Sequence, residues 1–158
     1  MNLPLFQNDP QLLCRPSIRD FGCYVRGLSQ LCEKVAGTAL TAKQTITQYD
    51  WLLENGKMLD ERGRQAFVLY PEAVGKAAQF YLGVPQTFRA VLRRSVDGYD
   101  HSDFDTGEEP THWLALGLIE GGKIPHFWEI DNDQHPLWDS LWPVRSKLQI
   151  LSLRGFVI

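Results

Sequence analysis

The spacing of apolar residues changes period once along this chain, near Val84, and that switch restricts the fold more than any other feature. Before it, apolar residues recur three and four apart, as in Tyr24, Leu28, Leu31 and Val35, then Ile46, Tyr49, Leu52 and Leu53, then Val74, Ala77, Ala78 and Tyr81. These are the stripes of three amphipathic helices. After it come short runs with strand-like composition, over 87–96, 112–120, 124–131 and 148–158. Helices followed by strands predict an α+β fold, with a helical part over about 19–83 packed on an antiparallel sheet over about 84–158. At 158 residues, a single domain spanning 1–158 is expected.

Local signals sharpen the helix limits. The first helix is predicted from 20 to 36, with Gly37 as its stop. Thr41-Ala42-Lys43-Gln44 has the form of a capping box, and Asn55-Gly56 ends that helix. Pro71 suits the first position of the third, and Gly83 closes it. Residues 1–18 read as an irregular lead-in, because Pro10 and Pro16 disfavour a continuous helix. The charged stretch at 58–65 reads as a solvated turn.

Charge and cysteine usage exclude several classes of function. The 16 basic and 19 acidic residues leave a net charge of -3 with no long block of one sign, which argues against a phosphate-gripping nucleic-acid binder. No apolar run approaches the ~18 residues of a membrane span. The N-terminal residues lack the basic start and apolar core of a secretory signal, so a cytoplasmic location is expected. Cys14, Cys23 and Cys32 include no C-x-x-C pair, so neither a disulfide framework nor a zinc knuckle is predicted. The loop at 97–111 carries Asp100-His101 yet lacks the ligand spacing of a calcium loop or a zinc helix. It reads as a solvent-exposed connection, and no metal or other cofactor is expected.

Chemistry concentrates at Arg19-Asp20-Phe21-Gly22-Cys23-Tyr24-Val25-Arg26-Gly27-Leu28, a loop turning into a helix. With Asp20 as N-cap, Cys23 falls at the third helical position, where the helix dipole favours thiolate over thiol. Gly22 would leave room for a substrate backbone. Arg26, Gln30, Glu33 and Lys34 occupy the side away from the apolar stripe, so one face anchors the helix. The competing reading is a buried, inert cysteine, which is the usual state of this residue type. Cys32, on the opposite side of the helix from Cys23, is read that way.

A nucleophilic cysteine needs a base and an orienting acid elsewhere in the chain. Gly121-Gly122 is a strong two-residue hairpin signal between the runs at 112–120 and 124–131. Such a turn places Glu120 opposite Lys123 and, counting outward, His112 opposite Asp131. Opposed residues share a face with β-carbons ~4.5 to 5.5 Å apart, close enough for the carboxylate to orient the imidazole. His126 falls on the face opposite Asp131, and His135 lies in a turn-prone run, so both read as structural or exposed. The aromatic set Phe127, Trp128, Trp138 and Trp142 reads as core.

Gly22-Cys23 opening a helix, a helical middle, a late strand beginning His112-Trp113 and a following strand ending Ile130-Asp131 resemble the papain-like cysteine peptidases, especially the compact C39-type members. The resemblance covers Asp20 to about Asp133. It implies a papain-like fold and cleavage of a peptide or other amide bond through a thioester on Cys23, with His112 as general base and acid and Asp131 orienting it. Family members carry a Gln several residues before the nucleophile that helps bind the oxyanion. Here Ser17 stands six residues before Cys23 and the nearest preceding Gln is Gln11, so these two are the oxyanion candidates. The implied partner is a peptide or protein substrate. The alternative is a weakly active or inactive module of the same fold that binds peptides or a protein partner.

Overall fold

The structure is a computed structural model that describes residues 5–60, 66–85, 88–96, 103–119, 125–140 and 147–158. It is an α+β protein with helices α1 (Pro16–Phe21), α2 (Cys23–Ala36), α3 (Ala42–Glu54) and α4 (Pro71–Leu82). Strands β1 (Met58–Asp60) and β2 (Ala66–Val68) form a small hairpin. Strands β3 (Arg89–Ser95), β4 (Phe104–Asp105), β5 (His112–Ile119), β6 (His126–Ile130), β7 (Pro136–Asp139) and β8 (Lys147–Val157) make an antiparallel sheet of order β4-β3-β8-β5-β6-β7. Among the described residues no helix is long and apolar enough to cross a membrane.

The helix ends follow their local chemistry. Gly37 and Gly83 close α2 and α4 in the left-handed region, at φ 70° and 68°. Thr41 and Gln44 exchange both bonds of the capping box at the start of α3. The lead-in departs from the irregular segment expected. Pro10 and Pro16 each begin a short helix, because a proline in the first turn gives up only an amide that has no partner there.

The first long helix is also divided. Residue 20 lies inside α1, so Gly22 and not Asp20 takes the N-cap of α2, and Cys23 becomes its first residue. Gly22 is required by crowding at this junction. A β-carbon there would lie 2.4 Å from the Ile18 carbonyl oxygen, so the missing side chain makes room for the preceding helix and not for a substrate.

Helix α2 is the centre of the molecule, buried on both of its faces. Leu28, Leu31 and Cys32 join the main core with Leu52, Val74, Ala78, Phe88, Leu114 and Phe156. The polar side is covered too. Arg26, Gln30 and Glu33 are at most 6% exposed, so the helix is not anchored by one face alone. Each buried polar group has to find a bond, since leaving one unpaired costs ~1 to 3 kcal/mol. Arg26 donates to Glu33 at 2.8 Å, and Ser29 bonds Gln48, which in turn donates to the Val74 carbonyl.

The β5–β6 ladder has the expected register where it forms. Trp113 pairs with Ile130, Leu114 with Glu129 and Ala115 with Trp128, and the ladder ends one pair short of His112 and Asp131. The Gly121-Gly122 turn lies outside the described residues, as does Trp142.

Candidate active site

The direction in which α2 crosses the sheet decides which histidine meets Cys23. Along α2, Tyr24 stacks on Phe127 with ring centroids 4.0 Å apart, and Lys34 reaches Glu129 at 2.8 Å. The helix therefore runs in the same sense as β6, with its N-terminus at the His126 end. At 1.5 Å per residue, Cys23 and Lys34 are about 16 Å apart along the axis. His112 belongs to the far end. Burial and then the charge of Lys34 lower its pKa, and its Nδ1 bonds Thr111 Oγ1 at 2.9 Å.

The assignment of His112 and Asp131 as base and orienter is therefore corrected, although their strands pair in the expected register. Asp131 is committed to a turn. Its Oδ1 accepts from the amides of Asp133 and His135 at 2.9 and 2.8 Å, and its Oδ2 lies 3.3 Å from His135 Nδ1. The amide of His135, foremost, holds the Asp131 carboxyl below its ordinary value. Asp131, Asp133 and His135 bring ligand atoms within 4.8 Å of one another, but on an exposed turn whose own amides already occupy Asp131.

The residue that does meet Cys23 is His126, the first of β6. The Cys23 thiol lies near enough to act on the charge of its imidazole, and its Nε2 lies 2.6 Å from Asp139 Oδ1. An ionised carboxylate only accepts, so Nε2 carries the proton and Nδ1 is the nitrogen left for the thiol. His126 and Asp139 are 5% and 2% exposed, and Trp128, opposite Asp139 in the β6–β7 ladder, is 1% exposed. Burial by itself would lower the imidazole pKa. The bonds and charges of Asp139 and Cys23 outweigh it and raise the value to about 9. A histidine so placed is an imidazolium at neutral pH, poised against sulfur on one side and carboxylate on the other.

Cys23 is half-buried, Cys14 exposed and Cys32 fully buried. Burial, followed by the charge of Glu33, pushes the Cys32 thiol up to about 12, which suits a core residue. Cys23 differs from both in opening a helix, where first-turn amides lack intrahelical partners and favour negative charge.

Neither oxyanion candidate from the sequence is part of this group. The amide of Gln11, in the short helix at Pro10–Leu12, bonds the Asp9 side chain that caps it, and Ser17 is buried within α1. Gln7 is bonded beside Asp139. Its amide donates to the Ser140 carbonyl at 2.8 Å, its Oε1 accepts from Ser140 Oγ, and Ser140 directly follows Asp139. Gln7 is 1% exposed.

His126 and Asp139 are therefore the residues beside Cys23 that were not legible in the sequence. Alternation places His126 on the face opposite Asp131, which reads as a structural position. Asp139 sits on a strand of four residues begun by Pro136, too short to show period two. A readable signal was nonetheless present, since Asp139 closes the apolar run Pro136-Leu137-Trp138 one hairpin after His126. No protein-family model, curated protein or solved structure matches the chain.

Proposed function

We propose that this chain is a papain-like thiol hydrolase that cleaves a peptide or other amide bond, with Cys23 as nucleophile, His126 as acid and base, and Asp139 as the orienting carboxylate. One observation carries the reading: a single buried imidazole that feels the Cys23 thiol and is bonded through Nε2 to Asp139. That is the arrangement an activated thiol requires.

The chemistry follows from these positions. Cys23 as thiolate attacks the substrate carbonyl carbon. The C–N bond breaks as His126 gives its Nδ1 proton to the departing amine, leaving a thioester on Cys23. His126, now neutral, takes a proton from water, the hydroxide attacks the thioester, and the carboxylic acid leaves as the thiolate and imidazolium re-form. Asp139 keeps the ring oriented and favours its charged form throughout. The oxyanion would be met by the Cys23 amide at the start of α2 and by the side-chain amide of Gln7.

Alkylation with iodoacetamide near pH 6 tests the reading. Cys23 should be modified ahead of the exposed Cys14, and His126→Ala should remove the advantage. Equal rates at the two cysteines in the unaltered protein would defeat it and favour a binding module without turnover.

A further inference from the structure

The central helix buries an ion pair whose presence stability does not explain. Arg26 Nη2 bonds Glu33 Oε1 at 2.8 Å, with side chains 0% and 1% exposed. Removing both charges from water costs several kcal/mol each, and apolar replacements of such pairs are often neutral or stabilising. The pair is also incompletely bonded, since Arg26 Nη1 has no hydrogen-bond partner among the described residues. Burial, ahead of the opposing effects of Arg26 and the Leu40 amide, raises the Glu33 carboxyl above its ordinary value.

What the pair does provide is a fixed donor one turn beyond Cys23. Arg26 Nε donates to the carbonyl of Leu5 at 2.9 Å. Two residues on, Gln7 is bonded through backbone and side chain to Ser140. Between these anchors Phe6 stacks on Trp138, with centroids 5.9 Å apart and planes 9° from parallel. Residues 5–7 are thus fastened at one end to the helix that carries Cys23 and at the other to the residue after Asp139. The Glu33 carboxylate holds the guanidinium so that Nε points at this segment.

We propose that Arg26, held by Glu33, is a positioning residue for the thiol site. By fixing the Leu5 carbonyl it sets Gln7 in register with the N-terminus of α2, so that the oxyanion position is assembled only when this segment is clamped. The inference rests on the thiol-hydrolase reading.

A double-mutant cycle between Arg26→Met/Glu33→Leu and Gln7→Ala, read with p-nitrophenyl acetate and with iodoacetamide, tests it. The paired replacement leaves no orphaned buried charge. Alkylation of Cys23 should stay within about twofold of the unaltered protein, because His126 and Asp139 are untouched, while kcat falls ~10- to 100-fold with KM little changed. Gln7→Ala should reduce kcat by a similar factor, and the combination should lose little more, since both act through one group. An unchanged kcat in the paired variant, or losses that multiply, would overturn the proposal. Should the paired variant not fold, Arg26→Lys keeps a cation beside Glu33 but lacks the Nε that donates to the Leu5 carbonyl. A kcat equal to that of the unaltered protein would overturn the proposal equally. Slow, unselective alkylation of Cys23 before any substitution would instead refute the thiol reading itself, which separates the two failures.

Discussion

Replacing Asp139 by Asn removes the carboxylate from His126 and leaves the shape of the site nearly unchanged. Of the influences that raise the imidazole pKa to about 9, the Asp139 hydrogen bond is the largest, while burial acts in the opposite sense and remains after substitution. The imidazolium should therefore deprotonate at least about one pH unit lower, and each unit is a factor of ten in its population above the new pKa. The help that His126 gives the Cys23 thiol weakens accordingly. With the pKa lowered by about one unit, the imidazolium fraction near pH 8 falls from about nine-tenths to about one-half, so the rate of Cys23 alkylation there should fall about twofold or more, while Cys14 serves as an internal control in the same digest.

Stability should change with a definite sign. Because the folded pKa lies above the ordinary 6.5, the interaction contributes in full below that value and is lost as pH rises through about 9. At ~1.36 kcal/mol per pH unit the net shift amounts to roughly 3 kcal/mol for His126 as a whole, with burial and Cys23 included. Asp139→Asn should cost most near pH 6 and progressively less toward pH 9 in denaturant titrations. A pH–alkylation profile superimposable on that of the unaltered protein, or a stability loss that grows from pH 6 to 9, would refute the reasoning.

Three further outcomes are expected. Cys23→Ser should abolish hydrolysis of p-nitrophenyl acetate while shifting Tm little; an unfolded variant would mark Cys23 as core. His112→Ala and Asp131→Asn should leave Cys23 alkylation within about twofold of the unaltered rate, as distant sites act independently; a large drop in either would return the base to β5. Gly22→Ala should destabilise by ~1 to 3 kcal/mol and slow Cys23 alkylation, because its β-carbon would press on the Ile18 carbonyl, 2.4 Å away. Unchanged unfolding in urea would show that the α1–α2 junction can relax.

The features legible in the chain are local in origin. Glycines at 37 and 83 stop helices because only a residue without a β-carbon readily takes positive φ, and the Thr41–Gln44 pair caps α3 through atoms three residues apart. The β5–β6 register is equally local, since alternation and a short connection set it together. That a helix begins near Cys23 is legible for the same reason, although its N-cap is Gly22 and not Asp20. Tertiary structure decided the rest. The sense in which α2 crosses β6 depends on packing between distant segments, with Tyr24 on Phe127 and Lys34 on Glu129, and that sense exchanged His112 for His126. The polar side of α2 looked solvent-facing because its partners, Leu5, Gln48 and Glu129, lie on other elements. Gln7 reaches Ser140 across 133 residues of chain, and no periodicity or turn chemistry records a contact that long-range burial alone creates.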